Sequence, residues 1–250
     1  MDADRNPSRA PATADCRAVE LRQYRLRPHR RDALIELFDR EFIEPQEAAG
    51  MRVIGQFRDL DDPDRFVWLR GFASMAARRR GLEAFYGGPV WARFRDAANA
   101  TMIDSDDVLL LRPAWAGAAI APKTSRAERD GSPLPDGLLD ATIYYLREPP
   151  ADALLELVRG AMAKTLAAAG VLARGWYVTE TSVNDYPRLP VREGEQVLVQ
   201  LALFRNLAAF EAFARSGIWA REVAPRLAPF LARPPETRRL VPTARSALRA

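Results

Sequence analysis

An internal repeat constrains the fold of this chain more than any other feature of its sequence. DALIEL at 32–37 recurs as DALLEL at 152–157, and AAG at 48–50 recurs at 168–170, both at an offset of 120 residues. Two more matches follow in the same order, VWL at 67–69 with VQL at 199–201 and GPVWAR at 88–93 with SGIWAR at 216–221. A chain of 250 residues with such matches is expected to fold as two copies of one unit.

Hydrophobic periodicity gives the order of elements within one unit. In the first copy we expect strands over 19–27, 51–59, 65–72 and 107–112, a helix starting at Pro28 and ending near Gly50, and a helix over 73–86 that breaks at Gly87-Gly88-Pro89 before a second helical piece. The order β-α-β-β-α-β is the ferredoxin-like arrangement, an antiparallel sheet with both helices on one face.

The bare face of each sheet must be covered, so we expect the two sheets to pack face to face. The predicted fold is α+β, two fused ferredoxin-like repeats in an α+β barrel with helices outside and a cavity between the sheets. The expected order along the chain is a disordered tail over 1–16, the first repeat over 17–113, a linker over 114–137, the second repeat over 138–245 and a tail over 246–250.

Composition excludes several classes of partner and cofactor. No apolar run is long enough for a transmembrane helix, and the N-terminus lacks a secretory signal, so we expect a cytoplasmic protein without membrane contact. All but two of its 37 basic residues are arginines dispersed among 33 acidic ones, which argues against nucleic-acid binding. One histidine, one cysteine and the absence of a G-x-G-x-x-G or Walker loop give no basis for a metal, NAD or ATP site. We therefore expect no cofactor.

Five blocks of the first repeat resemble a known family. They are ELRQY at 20–24, GMRVIGQF at 50–57, FVWLRGF at 66–72, FYGGPVW at 85–91 and RDAANATM at 95–102. These blocks are similar to those of bacterial NIPSNAP proteins, and the likeness is looser over 139–245. The resemblance implies a dimeric α/β-barrel fold, in agreement with the fold expected from the repeat, and a family in which most members have no established reaction. A homodimer of such chains is a further expectation.

Strand alternation predicts which residues line the space between the sheets. Met51, Val53, Gly55 and Phe57 form the uniformly apolar face of the second strand and are expected against the helices, together with Val67 and Leu69. The opposite faces should then line the cavity and supply candidate ligand-binding residues. Those facing inward are Arg22, Tyr24, Arg52, Ile54, Gln56, Arg58, Phe66, Trp68 and Arg70, with Tyr144, Arg174, Trp176 and Gln200 in the second repeat.

Arg70 is the sharpest candidate, because an arginine in an apolar strand must meet either a carboxylate of the protein, such as Glu20 or Asp104, or an anionic ligand. Trp68 is either a packing residue or a ligand platform. Gly87-Gly88-Pro89 is either a simple helix break or part of a lid. The remaining candidates are Tyr86, Trp91, Arg95 and Asn99, the last three spaced by four residues on one helical face.

The sequence thus predicts a protein that binds a small acidic or carbonyl compound between its two sheets. Such a protein could act as a cofactor-free monooxygenase, isomerase or cyclase, which is an analogy at the level of the fold. The alternative is a non-catalytic interaction module with a filled barrel. A solvent-reachable cavity of some hundreds of Å³ lined by Arg70 and Trp68 supports the first. A packed interior with Arg70 saturated by protein carboxylates would rule the first out.

Overall fold

A computed structural model describes residues 10–122, 125–128 and 133–250. The first repeat contains β1 (Ala18–Leu26), α1 (Arg31–Leu37), a π-helical turn (Phe38–Phe42), α2 (Ile43–Ala48), β2 (Arg52–Asp59), β3 (Arg65–Phe72), α3 (Met75–Tyr86), α4 (Pro89–Asn99), β4 (Met102–Asp104) and β5 (Val108–Pro113). The second contains β6 (Leu138–Leu146), α5 (Asp152–Leu157), a π-helical turn (Val158–Met162), α6 (Ala163–Ala168), β7 (Ala173–Thr179), β8 (Gln196–Phe204), α7 (Leu207–Ser216), a π-helical turn (Trp219–Val223), α8 (Ala224–Leu227) and β9 (Glu236–Pro242).

The duplication extends to irregular features of the backbone. The π-helical turns at Phe38–Phe42 and Val158–Met162 are separated by the same 120 residues as the sequence matches. Each lies in the middle of the first helix of its repeat, and Gly50 and Gly170 follow these helices with positive φ angles of 84° and 72°. Both repeats therefore bend this helix and end it in the same way.

The eight long strands form one closed antiparallel barrel. Within the repeats the strand orders are β5-β1-β3-β2 and β9-β6-β8-β7, which is the ferredoxin-like order twice. Two seams join them, β2 with β9 at Phe57–Pro242 and β5 with β7 at Leu111–Thr179. The predicted α+β fold with helices outside is confirmed, and the two sheets meet edge to edge through hydrogen bonds at both seams.

Aliphatic and aromatic side chains fill the space inside the barrel. Val67 and Leu69, expected against the helices, lie here instead, and so does Phe57. We expected a cavity between the sheets, but the side chains of the described residues occupy that space. The strand residues of this core are Val19, Leu21, Ile54, Phe57, Val67, Leu69, Leu109, Leu111, Leu139, Ala141, Ile143, Tyr145, Tyr177, Val197, Val199, Leu201, Leu203 and Leu240.

Three residues outside the strands complete the barrel core: Cys16, Ile120 and Leu248. They lie in the predicted N-terminal tail, linker and C-terminal tail. Thr13–Asp15 form a 3-10 turn before the buried cysteine, so this end of the N-terminal tail is ordered, contrary to expectation. Ile120 is fully buried, and Ser246 to Leu248 are buried. Residues 1–9 of the predicted N-terminal tail, and 123–124 and 129–132 of the predicted linker, lie outside the described residues. Burial of these segments covers apolar surface that the strands alone leave uncovered.

Strand glycines make room for two of these residues. A Cβ on Gly175 would lie 2.6 Å from the backbone nitrogen of Ile120, and a Cβ on Gly55 would lie 3.1 Å from the Cβ of Leu248. Gly55 and Gly175 are at the repeat offset of 120, and Ile120 and Leu248 are at the offset of 128 that also relates Trp91 to Trp219. Each repeat therefore ends in an apolar residue that closes against a glycine in a second strand.

We expect Leu248→Ala to lower the free energy of unfolding by about 2–5 kcal/mol, because it removes a fully buried side chain from a packed core. Urea unfolding measures the effect, with Leu172→Ala as the matched control at a site that is 47% exposed. Equal stability of Leu248→Ala and the control would contradict the placement of the C-terminus in the barrel.

Candidate functional site

The outer face of the first repeat's sheet, which the helices cover, carries its large aromatic and charged residues. Phe66 and Trp68 pack there with Phe38 and Leu82 from the helices. The prediction that Arg22, Tyr24, Phe66, Trp68 and Arg70 face the space between the sheets is therefore wrong. Alternation gave the correct set of residues and the wrong side, because the small aliphatic set on these strands is the one that fits inside a closed barrel.

A register shift in β2 explains the mixed outcome for that strand. Val53 faces the helices and Ile54 faces the barrel core, both as expected. Between Val53 and Gly55 the pairing with β3 slips, and from there Phe57 points into the barrel. A bulge adds one residue to a strand, so the alternation reverses beyond it. Gln56 consequently lies on the helix side, where its amide donates to Asp39 Oδ1 at 3.3 Å.

Three buried arginines surround one buried carboxylate on this outer face. Glu20 Oε2 accepts hydrogen bonds from Arg22 Nη1 at 2.8 Å and from Arg70 Nε at 2.7 Å, while Oε1 accepts from Arg78 Nε at 2.7 Å. No side chain of the four is more than 1% exposed. Of the alternatives for Arg70, the structure shows a pair with a protein carboxylate, Glu20. We call Glu20, Arg22, Arg70 and Arg78 the arginine cluster.

The charges of this cluster do not balance. Burial alone would raise the pKa of Glu20, but the charges of Arg70, Arg22 and Arg78 outweigh that effect and hold the pKa well below its usual range. Glu20 is therefore ionised at neutral pH, and together with Asp185, which pairs with Arg78, it leaves the three guanidinium groups with one positive charge in excess. Arg70 Nη2 and Arg78 Nη2 are buried without a hydrogen-bond partner among the described residues. Unpaired buried donors on charged groups are costly to a fold.

Arg70 links this cluster to a small cavity. Its Nη1 donates to Gln46 Oε1 at 3.2 Å and to Tyr86 Oη at 3.3 Å, and its guanidinium lies 5.1 Å from the ring centre of Trp68. Gln46, Tyr86 and Trp68 all line a cavity of about 30 Å³ between the sheet and the helices. Trp68 Nε1 has no hydrogen-bond partner there. The full lining is Tyr24, Leu34, Phe38, Phe42, Gln46, Trp68, Phe85, Tyr86, Trp91, Ala98 and Met102.

The structure brings together five of the eight predicted site residues and separates the other three. Tyr24, Trp68, Tyr86 and Trp91 line the cavity, and Arg70 contacts two of its lining residues. Gln56 is bonded to Asp39 and does not line the cavity, and Arg95 and Asn99 are exposed. The helical face toward the cavity runs through Trp91, Phe94 and Ala98, at spacings of three and four.

Arg78 is the functional candidate that sequence reasoning missed. A run of three arginines on a helix is typical of a solvated face, and Arg79 and Arg80 are indeed exposed. Arg78 is fully buried, and Gly81, Leu82 and Phe85 are buried with it. That spacing of three, four and seven residues marks one buried stripe of α3. Placing Arg78 on the stripe would have predicted its burial.

The second repeat carries the acid of this site without its arginines. Glu20, Arg22 and Tyr24 correspond to Asp140, Thr142 and Tyr144, and Arg70 corresponds to Ala202. Burial raises the pKa of Asp140 to about 6, opposed by hydrogen bonds from Thr142 Oγ1 and Gln200 Nε2. Tyr144 and Trp176 pack against the helices as their counterparts do, contrary to their expected inward position, and Arg174 is exposed. Within the described residues, the acid is combined with arginines in the first repeat alone.

A comparison of the sequence with models of protein families also distinguishes the first repeat from the second. Residues 19–116 match the family model described as NIPSNAP. The match covers the first repeat, which we call the NIPSNAP domain. No protein in a search of curated proteins matches the sequence.

Solved structures resemble the whole chain, including the part after the NIPSNAP domain. A proposed monooxygenase from Lactobacillus acidophilus NCFM aligns with a TM-score of 0.59 at 12% identity over 92% of this chain and 98% of its own. A second, from Fusobacterium nucleatum, has a TM-score of 0.60 at 7% identity over 94% and 97%. An anthrone oxidase-like protein has a TM-score of 0.55 at 13% identity over 95% and 96%. At these identities the likeness shows the shared barrel fold alone.

Two properties of the described residues bear on partners. No helix among them is both long and apolar enough to cross a membrane. Nowhere in residues 10–122, 125–128 and 133–250 do three or more histidine, cysteine or acidic side chains form a group that could hold a metal ion.

We expect Glu20→Gln in the NIPSNAP domain to lower the free energy of unfolding by about 3–5 kcal/mol, since it leaves Arg22 and Arg70 buried without a counter-charge and Arg78 with Asp185 alone. Chemical denaturation at pH 7 measures the loss. Glu83→Gln, at an exposed helical pair with Arg79, is the control and should change stability by less than about 0.5 kcal/mol. A similarly small change for Glu20→Gln would contradict the described role of this carboxylate.

In the second repeat, the raised pKa of Asp140 predicts that the free energy of unfolding depends on pH. Its folded pKa of about 6 lies above the ordinary value of 3.8, so wild-type stability falls as pH rises between these values. Asp140→Asn should remove that loss and gain roughly 2 kcal/mol relative to wild type between pH 4 and pH 7.5. Denaturant unfolding across this range tests it, with the 91%-exposed Asp96→Asn as control. A gain that does not depend on pH would refute the ionisation of Asp140 as the cause.

Proposed function

We propose that the NIPSNAP domain binds a small organic acid in the cavity between its sheet and its helices, with the acid group held by Arg70. The observation that carries this proposal is the charge excess of the arginine cluster beside a cavity with aromatic walls. Two guanidinium nitrogens and Trp68 Nε1 remain without partners on the described part of the chain. A carboxylate is the group that planar guanidinium donors bind best.

Aromatic walls favour a flat, unsaturated body for this acid. Phe38 contacts Trp68 edge to face at 4.8 Å between ring centres, and Tyr86 contacts Trp91 in the same way at 4.9 Å. The lining contributes few polar groups: the hydroxyls of Tyr24 and Tyr86, the amide of Gln46 and the indole nitrogen of Trp68. Apolar walls with a few polar groups at one end are typical of pockets for small organic ligands.

Binding is better supported than catalysis. No carboxylate or histidine is among the lining residues, so a general base for proton abstraction is missing from the described walls. Glu20, the nearest buried carboxylate to Arg70, is held ionised by three arginines and is a weak base. The names of two structural neighbours point to monooxygenase chemistry, and oxygen consumption with each bound compound would detect it here.

Arg70→Met separates a functional arginine from a structural one. Methionine keeps the volume and removes one of three clustered positive charges, so we expect the variant to be as stable as wild type or more stable. Thermal-shift measurements with aromatic carboxylates and carbonyl compounds should show stabilisation of wild type by the acids. This stabilisation should disappear in Arg70→Met and decrease in Trp68→Phe, which loses the indole donor, while the exposed control Arg95→Met behaves as wild type.

Two results would count against the proposal. If no compound stabilises the folded wild type, the filled barrel favours the alternative of a non-catalytic interaction module. If Arg70→Met binds the acids as wild type does, the anchor is misplaced even though a ligand exists.

A further inference from the structure

The two repeats differ in the length of the connection between their second and third long strands, which are β2 and β3 in the first repeat and β7 and β8 in the second. In the first repeat residues 60–64 join the equivalent strands, whereas in the second the connection spans residues 180–195. We call residues 180–195 the long loop. It runs beside the first repeat, where Glu180 N donates to Leu110 O at 2.9 Å and Arg192 N donates to Val108 O at 2.8 Å. Its two ends are therefore fixed along β5.

The middle of the long loop covers the arginine cluster. Arg78 Nη1 donates to Asp185 Oδ1 at 2.8 Å and to Asn184 Oδ1 at 3.0 Å. Tyr186 is buried in the aromatic layer of the first repeat, with its ring centre 6.3 Å from that of Tyr86 at an angle of 28°. A segment of the second repeat thus closes a site formed by the first.

Asp185 of the long loop does not use all the hydrogen-bond donors of Arg78. Asp185 uses one oxygen on Nη1 of Arg78, while Nη2 of the same guanidinium is buried without a partner in the described chain. Asp185 is also 26% exposed, whereas Arg78 is fully buried. A carboxylate that engaged both Nη1 and Nη2 would make the stronger bidentate contact.

The size of the cavity gives an independent reason for the loop to move. About 30 Å³ accommodates a water molecule or two, and an organic acid needs a pocket about ten times larger. Tyr86 is a wall of the cavity and also the stacking partner of Tyr186. Release of the loop would free this wall, so that one movement exposes the arginine and enlarges the pocket.

We infer that Asp185 is an internal competitor for the acid group of the ligand, and that an incoming organic carboxylate displaces it from Arg78 and opens the long loop. This inference rests on the proposed function, to which it adds a second arginine and a gate. The ligand class becomes a monocarboxylate with an aromatic body. Arg78 offers one bidentate position, and Arg70, which shares Glu20 with it, has Trp68 and Tyr86 as aromatic neighbours.

Benzoate is the probe, and Asp185→Asn is the test variant. Removing the competing charge should tighten benzoate binding about tenfold, measured as a Kd by titration calorimetry. Glu193→Gln removes an exposed acid from the same loop and should leave the Kd unchanged. In hydrogen exchange, the amides of residues 184–189 should exchange faster in Asp185→Asn than in wild type. Benzoate should also accelerate them in wild type while it raises the Tm.

The outcomes separate this inference from the proposed function. Equal or weaker benzoate binding by Asp185→Asn overturns the competition, while binding that still depends on Arg70 leaves the proposed function in place. Unchanged exchange in the loop upon benzoate binding overturns the gate. A tighter Kd in both Asp185→Asn and Glu193→Gln shows a general charge effect and also overturns the inference. Failure of benzoate to bind any of these folded proteins overturns the proposed function and this inference with it.

Discussion

The sheet closes on itself because the edge strands of one repeat pair with those of the other, β2 with β9 and β5 with β7. A closed barrel of eight strands has an interior only wide enough for side chains, so aliphatic residues and the apolar chain segments at its ends fill it. Large rings and charges are then confined to the layer between sheet and helices. The arginine cluster and its cavity follow from this confinement, since they lie where the barrel leaves room for them.

Within that layer, the arrangement around Glu20 concentrates positive charge at one place and lowers the folding stability of the protein. One carboxylate ordering three guanidinium groups holds Arg22, Arg70 and Arg78 in fixed positions. Desolvation of each ion is expensive, and packing by apolar residues of equal volume would be at least as stable. The second repeat shows the cheaper solution, in which Asp140 is bonded by a threonine and a glutamine and Ala202 stands at the position of Arg70. The first repeat keeps its charges at a cost that folding alone does not explain.

Sequence reasoning found the repeat, the element order and the fold, because periodicity and internal matches record them directly. It did not find the side of each strand that faces the helices. Alternation fixes which residues share a face, and in β3 both Phe66-Trp68 and Val67-Leu69 are apolar enough for either side. The bulge after Val53 has no sequence marker beyond Gly55. Long-range contacts such as Arg78 with Asp185, 107 residues apart, lie outside what local patterns contain.

The long loop has a consequence for the symmetry of such molecules. In a homodimer of identical repeats, any lengthened connection would appear twice, and each copy would have to close a site while carrying one of its own. When the two copies are joined in one chain, their sequences can differ and this symmetry constraint no longer applies. The second repeat is free to lose its arginines and to become a cover, and the first is free to specialise as the covered part. A duplicated architecture thereby acquires two dissimilar halves, and neither half performs the other's task.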